Sequence, residues 1–226
     1  MKNFLLTVLF FYTYLGFSQN EINNYVTLRD QLKVYNENGQ KINGKLDGSP
    51  YLTEDFSKGK ILQKGKEDVD VFFRYNVLQD IVEIKQKPSQ NEIFILPRTE
   101  NFEFKLPGYS FFFKKIITNE GEVISGYHIK YYQSEDILFI GEPKSKITAA
   151  QSATTSYEKD KPSKIVINMD YYVSLNGNPL TEIRLKERDF KNILPSSKEM
   201  KQYFSDHKIK DIEDVKRMFN YYESLN

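Results

Sequence analysis

Cysteine and tryptophan are absent from this 226-residue chain, and histidine occurs only twice. Without a thiol there is no disulfide framework, no thiolate nucleophile, no iron–sulfur cluster and no cysteine-based zinc site. The two histidines, His128 and His207, form no His-Glu-x-x-His pair, and no calcium-loop pattern occurs, so no dedicated metal centre is expected. A Gly-x-Ser-x-Gly elbow is missing, as is a glycine-rich loop opening a helix to cradle phosphate. No cofactor is expected. Neither sign of charge dominates: 32 basic residues face 31 acidic ones, interspersed as in "KGKEDVD" and "RLKERDFK". That balance gives nucleic acid or an anionic membrane no electrostatic hold, so neither is expected as a partner.

Long hydrophobic runs are scarce too, and the one that stands out is at the start. Phe4 to Leu15 follows Lys2, and Gly16 and Ser18 place small side chains at −3 and −1 of a cut before Gln19, the pattern of a secretory signal peptide. The run of twelve residues is shorter than the about 20 that span a bilayer, and no Cys follows it to carry a lipid. Residues 1–18 are therefore expected to be a leader and residues 19–226 a single β-rich domain. The mature chain would be exported, to the periplasm or beyond, with no transmembrane anchor. Lacking disulfides, such a domain must be held by its core, and a chain of this length buries about 70% of its unfolded surface.

Aromatic residues supply much of that core, with 17 Phe and 16 Tyr. Two-residue periodicity runs as far as about Leu185. "LKVY" (Leu32 to Tyr35) precedes a hairpin signal at Asn38-Gly39, and "LDGSPYL" carries an Asp-Gly turn and a Tyr-Leu pair suited to a short edge strand. In "VFFRYNVLQDIVEIK", Val71, Phe73, Tyr75 and Val77 share one face and Phe72, Arg74 and Asn76 the other, and the alternation resumes at Val82 and Ile84. Asn76 and Asp80 bracket the reversal, and Arg74 is placed to face Glu83 across it, an exposed-type pair worth at most about 1 kcal/mol. "NEIFILP", "FEFKLPG" with its Pro-Gly turn, "YSFFFKKI", "ISGYHIKYY" and "DILFIGE" read as further strands. "YSFFFKKI" is apolar on both faces, which suggests a central position. Residues 148–163 lose all periodicity and read as an exposed loop, after which "KIVINMDYYVSL" and "LTEIRL" flank an Asn176-Gly177 turn.

From residue 186 the period shifts towards 3.6. "KERDFKNIL" reads as a short helix, followed by a pair of amphipathic helices with Ser196/Glu199 spaced as a capping box and Asp211 as the second cap. The fold class expected is mainly β (α+β): an antiparallel meander curling into a barrel or sandwich, with this C-terminal helical pair covering one end or face.

Chemistry is harder to find. His128 shares with Lys130 and Tyr132 the side of its strand opposite Tyr127, Ile129 and Tyr131, and is expected to be a sheet-surface or hydrogen-bonded histidine; His207 sits where a helix C-terminus favours a cation. The candidate binding residues are Arg74, Asn76 and Asp80 at the hairpin, and Tyr132 and Tyr172 from the aromatic runs "GYHIKYY" and "MDYYVSL", since surplus Tyr suits a pocket or an interface. Hydrolytic carboxylates leave no local motif, so Asp80, Glu83 and Asp170 remain open as acids.

The segments "GSPYLTEDFSKGKIL", "VFFRYNVLQDIVEIK" and the tail from Leu185 to Asn226 resemble a family of exported proteins of Bacteroidota, flavobacteria in particular. The resemblance covers most of the mature chain and rests on Gly48-Ser49-Pro50-Tyr51-Leu52, on Arg74-Tyr75-Asn76 with Asp80 and Glu83, and on Tyr221-Tyr222. It implies an envelope setting, with the periplasm foremost, and brings no established activity or catalytic residues. The expectation is a non-enzymatic binding or scaffold protein with an envelope protein or an apolar ligand as partner. The alternatives are an acid-dependent hydrolase of envelope glycans or peptides, or a carrier of an apolar ligand.

Overall fold

Alternation of buried and exposed side chains builds one large sheet. The computed structural model describes residues 46–225 apart from 64, 97, 152, 154, 156 and 158; the expected leader, the expected strand at Leu32–Tyr35 and the hairpin expected at Asn38-Gly39 fall outside the described residues. Eleven strands form: β1 (Leu46–Asp47), β2 (Ser57–Gln63), β3 (Val69–Asn76), β4 (Ile81–Lys85), β5 (Phe94–Ile95), β6 (Phe102–Leu106), β7 (Tyr109–Ile117), β8 (Val123–Gln133), β9 (Ile137–Thr148), β10 (Ser163–Leu175) and β11 (Thr181–Ile183). Their order is β1-β10-β9-β8-β7-β6-β2-β3-β4-β5, with β11 also beside β10. All pairings are antiparallel except β1 with β10. The plain meander expected from the sequence is broken twice: β1 pairs with β10 rather than β2, and after β5 the chain returns to the middle and β6 pairs with β2, where Ile61 meets Phe104. β7 is central, as its two apolar faces require.

The sheet curls strongly. β3 and β8 are four strand steps apart, which in a flat sheet is about 19 Å, yet the rings of Tyr75 and Tyr127 lie 5.7 Å apart. Val71, Phe73, Val82, Ile84, Phe104, Phe111 and Ile129 fill the concave side with them. Expectation and structure part over closure, because the curl ends without joining edge to edge. The edge strands β1, β5 and β11 are two or three residues long, too short to ladder with one another. A strap does the joining instead. Leu46 and Asp47 pair with β10, and four residues later the Val77 N–H donates to the Pro50 carbonyl and the Leu52 N–H to the Tyr75 carbonyl of β3. Between these anchors Gly48 has φ +86°, and a Cβ there would stand 2.6 Å from the Ile165 carbonyl oxygen, so only glycine fits without strain.

Three helices follow: α1 (Glu187–Ile193), α2 (Lys198–Asp206) and α3 (Ile212–Glu223). The short helix belongs to the same layer as the expected pair: Phe190, Met200, Phe204, Val215, Met218 and Phe219 bury a second core with Phe139, Val173 and Ile183. The α2 cap is Ser197, whose hydroxyl accepts from the Met200 N–H, one residue later than the capping-box reading at Ser196. That shift puts Met200 and Phe204, one turn apart, on the buried face. Asp211 caps α3 as expected. No helix among the described residues is long and apolar enough to cross a membrane.

Candidate functional site

At the β3–β4 hairpin, Arg74, Asn76 and Asp80 are all engaged within the fold. Arg74 faces Glu83 in register. Its Nε and Nη2 donate to Glu83 Oε2 at 3.1 and 2.6 Å, and its Nη1 donates to the Glu54 carbonyl at 3.2 Å. The guanidinium lies over the rings of Tyr51 and Phe56, 3.7 and 4.5 Å from their centroids, and Tyr51 donates its hydroxyl to Glu83 Oε1. Burial and the Glu83 charge push that phenol above its ordinary range. Arg74 therefore clasps the strap to the hairpin.

Asn76 is buried, with Oδ1 accepting the Gln79 N–H at 3.1 Å and Nδ2 donating to Gln79 Oε1. Asp80 adopts φ +51°, a left-handed conformation that Asp tolerates better than most residues. Its Oδ1 accepts the Tyr75 hydroxyl at 2.7 Å and the Tyr127 backbone N–H at 3.0 Å, while Arg98 stands 3.4 Å from Oδ2. β8 pairs with β9 only through Ile129–Gln133, so Asp80 takes up a backbone donor where those strands have parted. Burial, with the Asp80 charge, lifts both the Tyr75 and Tyr127 phenols far above their usual range.

The two tyrosines lie elsewhere. A β-bulge between Lys130 and Tyr132 overturns the alternation that put Tyr132 beside His128 and Lys130. The extra residue turns Tyr132 to the helical side, where it packs 5.4 Å from Phe219 and donates its hydroxyl to Glu223. Burial and that carboxylate push its phenol up to about 12. Tyr172 is buried on the opposite face with Ile124, Ile140 and Leu180 and donates to Glu142 Oε2 at 3.1 Å. Burial and Glu142 raise it to about 12 as well. Lys144 bridges Glu142 and Asp170 at 3.0 and 2.9 Å. The acids Asp80, Glu83 and Asp170 are thus dispersed, each with its own cationic partner.

His207 lies where expected, and His128 is hydrogen-bonded as expected but buried rather than at the sheet surface. His207 Nδ1 is 3.1 Å from the Tyr203 carbonyl at the end of α2, and its ring stacks on Tyr203. His128 is fully buried, with Nε2 3.0 Å from the Lys114 carbonyl.

What the sequence did not suggest is a trough on the outer, convex face. Two concavities of about 530 and 370 Å³ adjoin there, and a third of about 240 Å³ opens on the helical side, lined by Val173, Leu175 and Ile193. The first two share Leu62, Glu103, Lys130 and Gln133, while the turn residues Asn178 and Pro179 separate the trough from the third. Phe112, Ile117, Leu138 and Leu180 give the widest part an apolar lining. Lys130 and Glu103 meet across β7 at 2.8 Å, because the intervening residue is the small Ser110, whose hydroxyl donates to Glu103 at 2.6 Å. Burial works against the Glu103 charge, yet hydrogen bonds from Lys130 and Ser110 hold its carboxyl below the usual range. Of the five candidate binding residues, Tyr132 alone touches this trough, at its smaller end, where the lining passes round the bulged end of β8 towards the helical side. Glu103, Phe112 and Leu138 lie on separate strands and Leu180 just before β11, and nothing local in the sequence groups them. Among the described residues no group of His, Asp and Glu is arranged to hold a metal ion. Comparison with family models, curated proteins and solved structures gives no match for this chain.

Proposed function

We propose that this is an exported, non-enzymatic binding protein of the cell envelope, and that its trough holds an extended peptide segment of a partner protein. The observation that carries the proposal is continuity. Two concavities that share Leu62, Glu103, Lys130 and Gln133 run on into one another across β6 to β9 and make a site longer than a compact ligand needs, a shape suited to an extended chain. Peptide is favoured over glycan by the lining. Aliphatic side chains and Phe112 suit alternating apolar residues, and the Lys130 ammonium spends two contacts on Glu103 while carrying three donors, which leaves one for a peptide carbonyl. The hydrolase reading draws little support, since Asp80, Glu83 and Asp170 each pair with a cation and none lines the trough. The carrier reading is disfavoured by a concave side packed with aromatic rings at centroid spacings such as 5.7 and 5.8 Å. Screening a display library of random extended peptides tests the proposal. Bound sequences should alternate apolar and polar residues, and Ile117→Glu, at a side chain 61% exposed on the trough wall, should abolish binding without lowering the melting temperature. Selection of no peptide, or binding indifferent to Ile117→Glu, defeats it.

A further inference from the structure

We infer that the trough carries an acid-sensitive latch at His128: protonating this side chain loosens the β7 wall and opens the site. The inference rests on the trough being the binding site, and the latch lies beneath its floor. The His128 ring lies 5.6 Å from the ring of Phe112, and its Nε2 donates to the Lys114 carbonyl at 3.0 Å. Phe112 and Lys114 both line the trough. β7 pairs with β6 only as far as Phe112, so beyond that residue β8 is its single strand neighbour and His128 is an extra tie across that pairing.

The other ring nitrogen makes the tie conditional. Nδ1 is the one buried side-chain polar atom without a partner among the described residues. With Nε2 carrying the proton, neutral imidazole presents only a lone pair at Nδ1, a modest cost in apolar surroundings. A second proton adds a full charge and a donor with no acceptor in reach, a much larger cost. The charges whose fields reach the ring are those of Glu142 and Lys144 from β9 and, from the concave side of the sheet, Asp80 of the β3–β4 turn. Glu142 is held by Tyr172 and Lys144, and Asp80 by Tyr75, Tyr127 and Arg98, so neither reaches Nδ1 without breaking existing contacts. The ring relieves its charge by swinging out, which releases the Lys114 carbonyl and withdraws the support under Phe112. Burial accordingly holds the imidazole below its ordinary range.

The sign follows from linkage. The open state takes up a proton near the ordinary imidazole value of about 6.5 and the closed state only at lower pH, so below about 6.5 the opening constant rises by up to about tenfold per pH unit.

Amide exchange on the ligand-free protein, corrected for intrinsic rates, reads this at residues 112–117. Exchange should accelerate by up to about tenfold per unit below about pH 6.5 in the wild type. In His128→Gln, whose amide still donates to the Lys114 carbonyl and does not titrate, it should be flat. A flat wild-type profile, or an equal acid response in His128→Gln, overturns the inference. Should that variant not fold, ring-labelled histidine NMR decides on the wild type, because the chain has only two such signals. A His128 signal that titrates without moving the methyl signals of Ile116, Leu138 and Leu180 refutes the latch. Failure of peptide selection would refute the binding proposal alone, since these measurements use no ligand.

Discussion

Replacing Arg74 by alanine should destabilise the protein far more than its hairpin position alone implies. An exposed cross-strand ion pair contributes at most about 1 kcal/mol. Here Arg74 and Glu83 keep side-chain exposures of only 17% and 10%, and the guanidinium also holds the Glu54 carbonyl and two aromatic rings. Alanine would leave Glu83 with the Tyr51 hydroxyl as its remaining hydrogen bond. Breaking a fully buried pair from one side costs about 3–5 kcal/mol. Residual exposure lets water relieve part of that, so we expect about 2–3 kcal/mol. For a domain of this size about 2–4 °C accompanies each kcal/mol, and thermal melts followed by circular dichroism should show a fall of about 5–10 °C. Arg74→Lys should recover less than half of the loss, because an ammonium cannot reproduce the two-nitrogen contact with Glu83 Oε2 or the stacking on Tyr51. In a double-mutant cycle with Glu83→Ala the coupling should be about 1–3 kcal/mol. A melt within 1 °C or so of wild type, or strictly additive single variants, would refute the clasp.

Other perturbations probe separate joints. Gly48→Ala forces a Cβ to 2.6 Å from the Ile165 carbonyl at φ +86°, and should cost at least about 1–3 kcal/mol in a urea titration; a neutral change would mean the strap is free to shift. Asp80→Ala removes the acceptor of the Tyr75 hydroxyl and the Tyr127 N–H, and should cost about 2–4 kcal/mol with accelerated amide exchange at Tyr127, whereas Asp80→Asn, which keeps an acceptor oxygen, should cost less than half as much. His128 makes the global stability pH-dependent. Its imidazole is depressed by burial, so its contribution is fully present above the unfolded value of about 6.5 and is lost as pH falls from there towards the folded value. Chemical denaturation at a series of pH values should lose that slope in His128→Gln.

Local features were legible because local chemistry decides them. The Arg74–Glu83 register follows from alternation on both sides of a short polar turn, and Asn176 and Gly177 at φ +52° and +71° form the hairpin that Asn-Gly signals. Asp211 caps α3 for the same reason. Long-range events left no local trace. The return of β6 to β2 depends on Ile61 finding Phe104, 43 positions away in sequence. The β8 bulge, which reverses Tyr132, is one residue of slack that alternation alone cannot detect. Asp80 looked like turn chemistry, and it is, but its carboxylate also reaches Tyr127 because the sheet curls. The trough is the extreme case: Leu62, Glu103, Phe112, Lys130 and Leu138 come from five strands, and only the strand order brings them together.

Photocrosslinking reads in the cell what occupies the trough. A benzophenone amino acid would replace Ile117 on the trough wall or, as a control, Val69, an equally apolar side chain 50% exposed on β3 and outside the trough. With the full chain produced in its native cells, the account predicts that Ile117 captures a defined protein through one extended segment, identified by mass spectrometry of the crosslinked peptide, and that Val69 does not. Capture of the same partner from both positions, capture of a glycan, or no capture from Ile117 would contradict it.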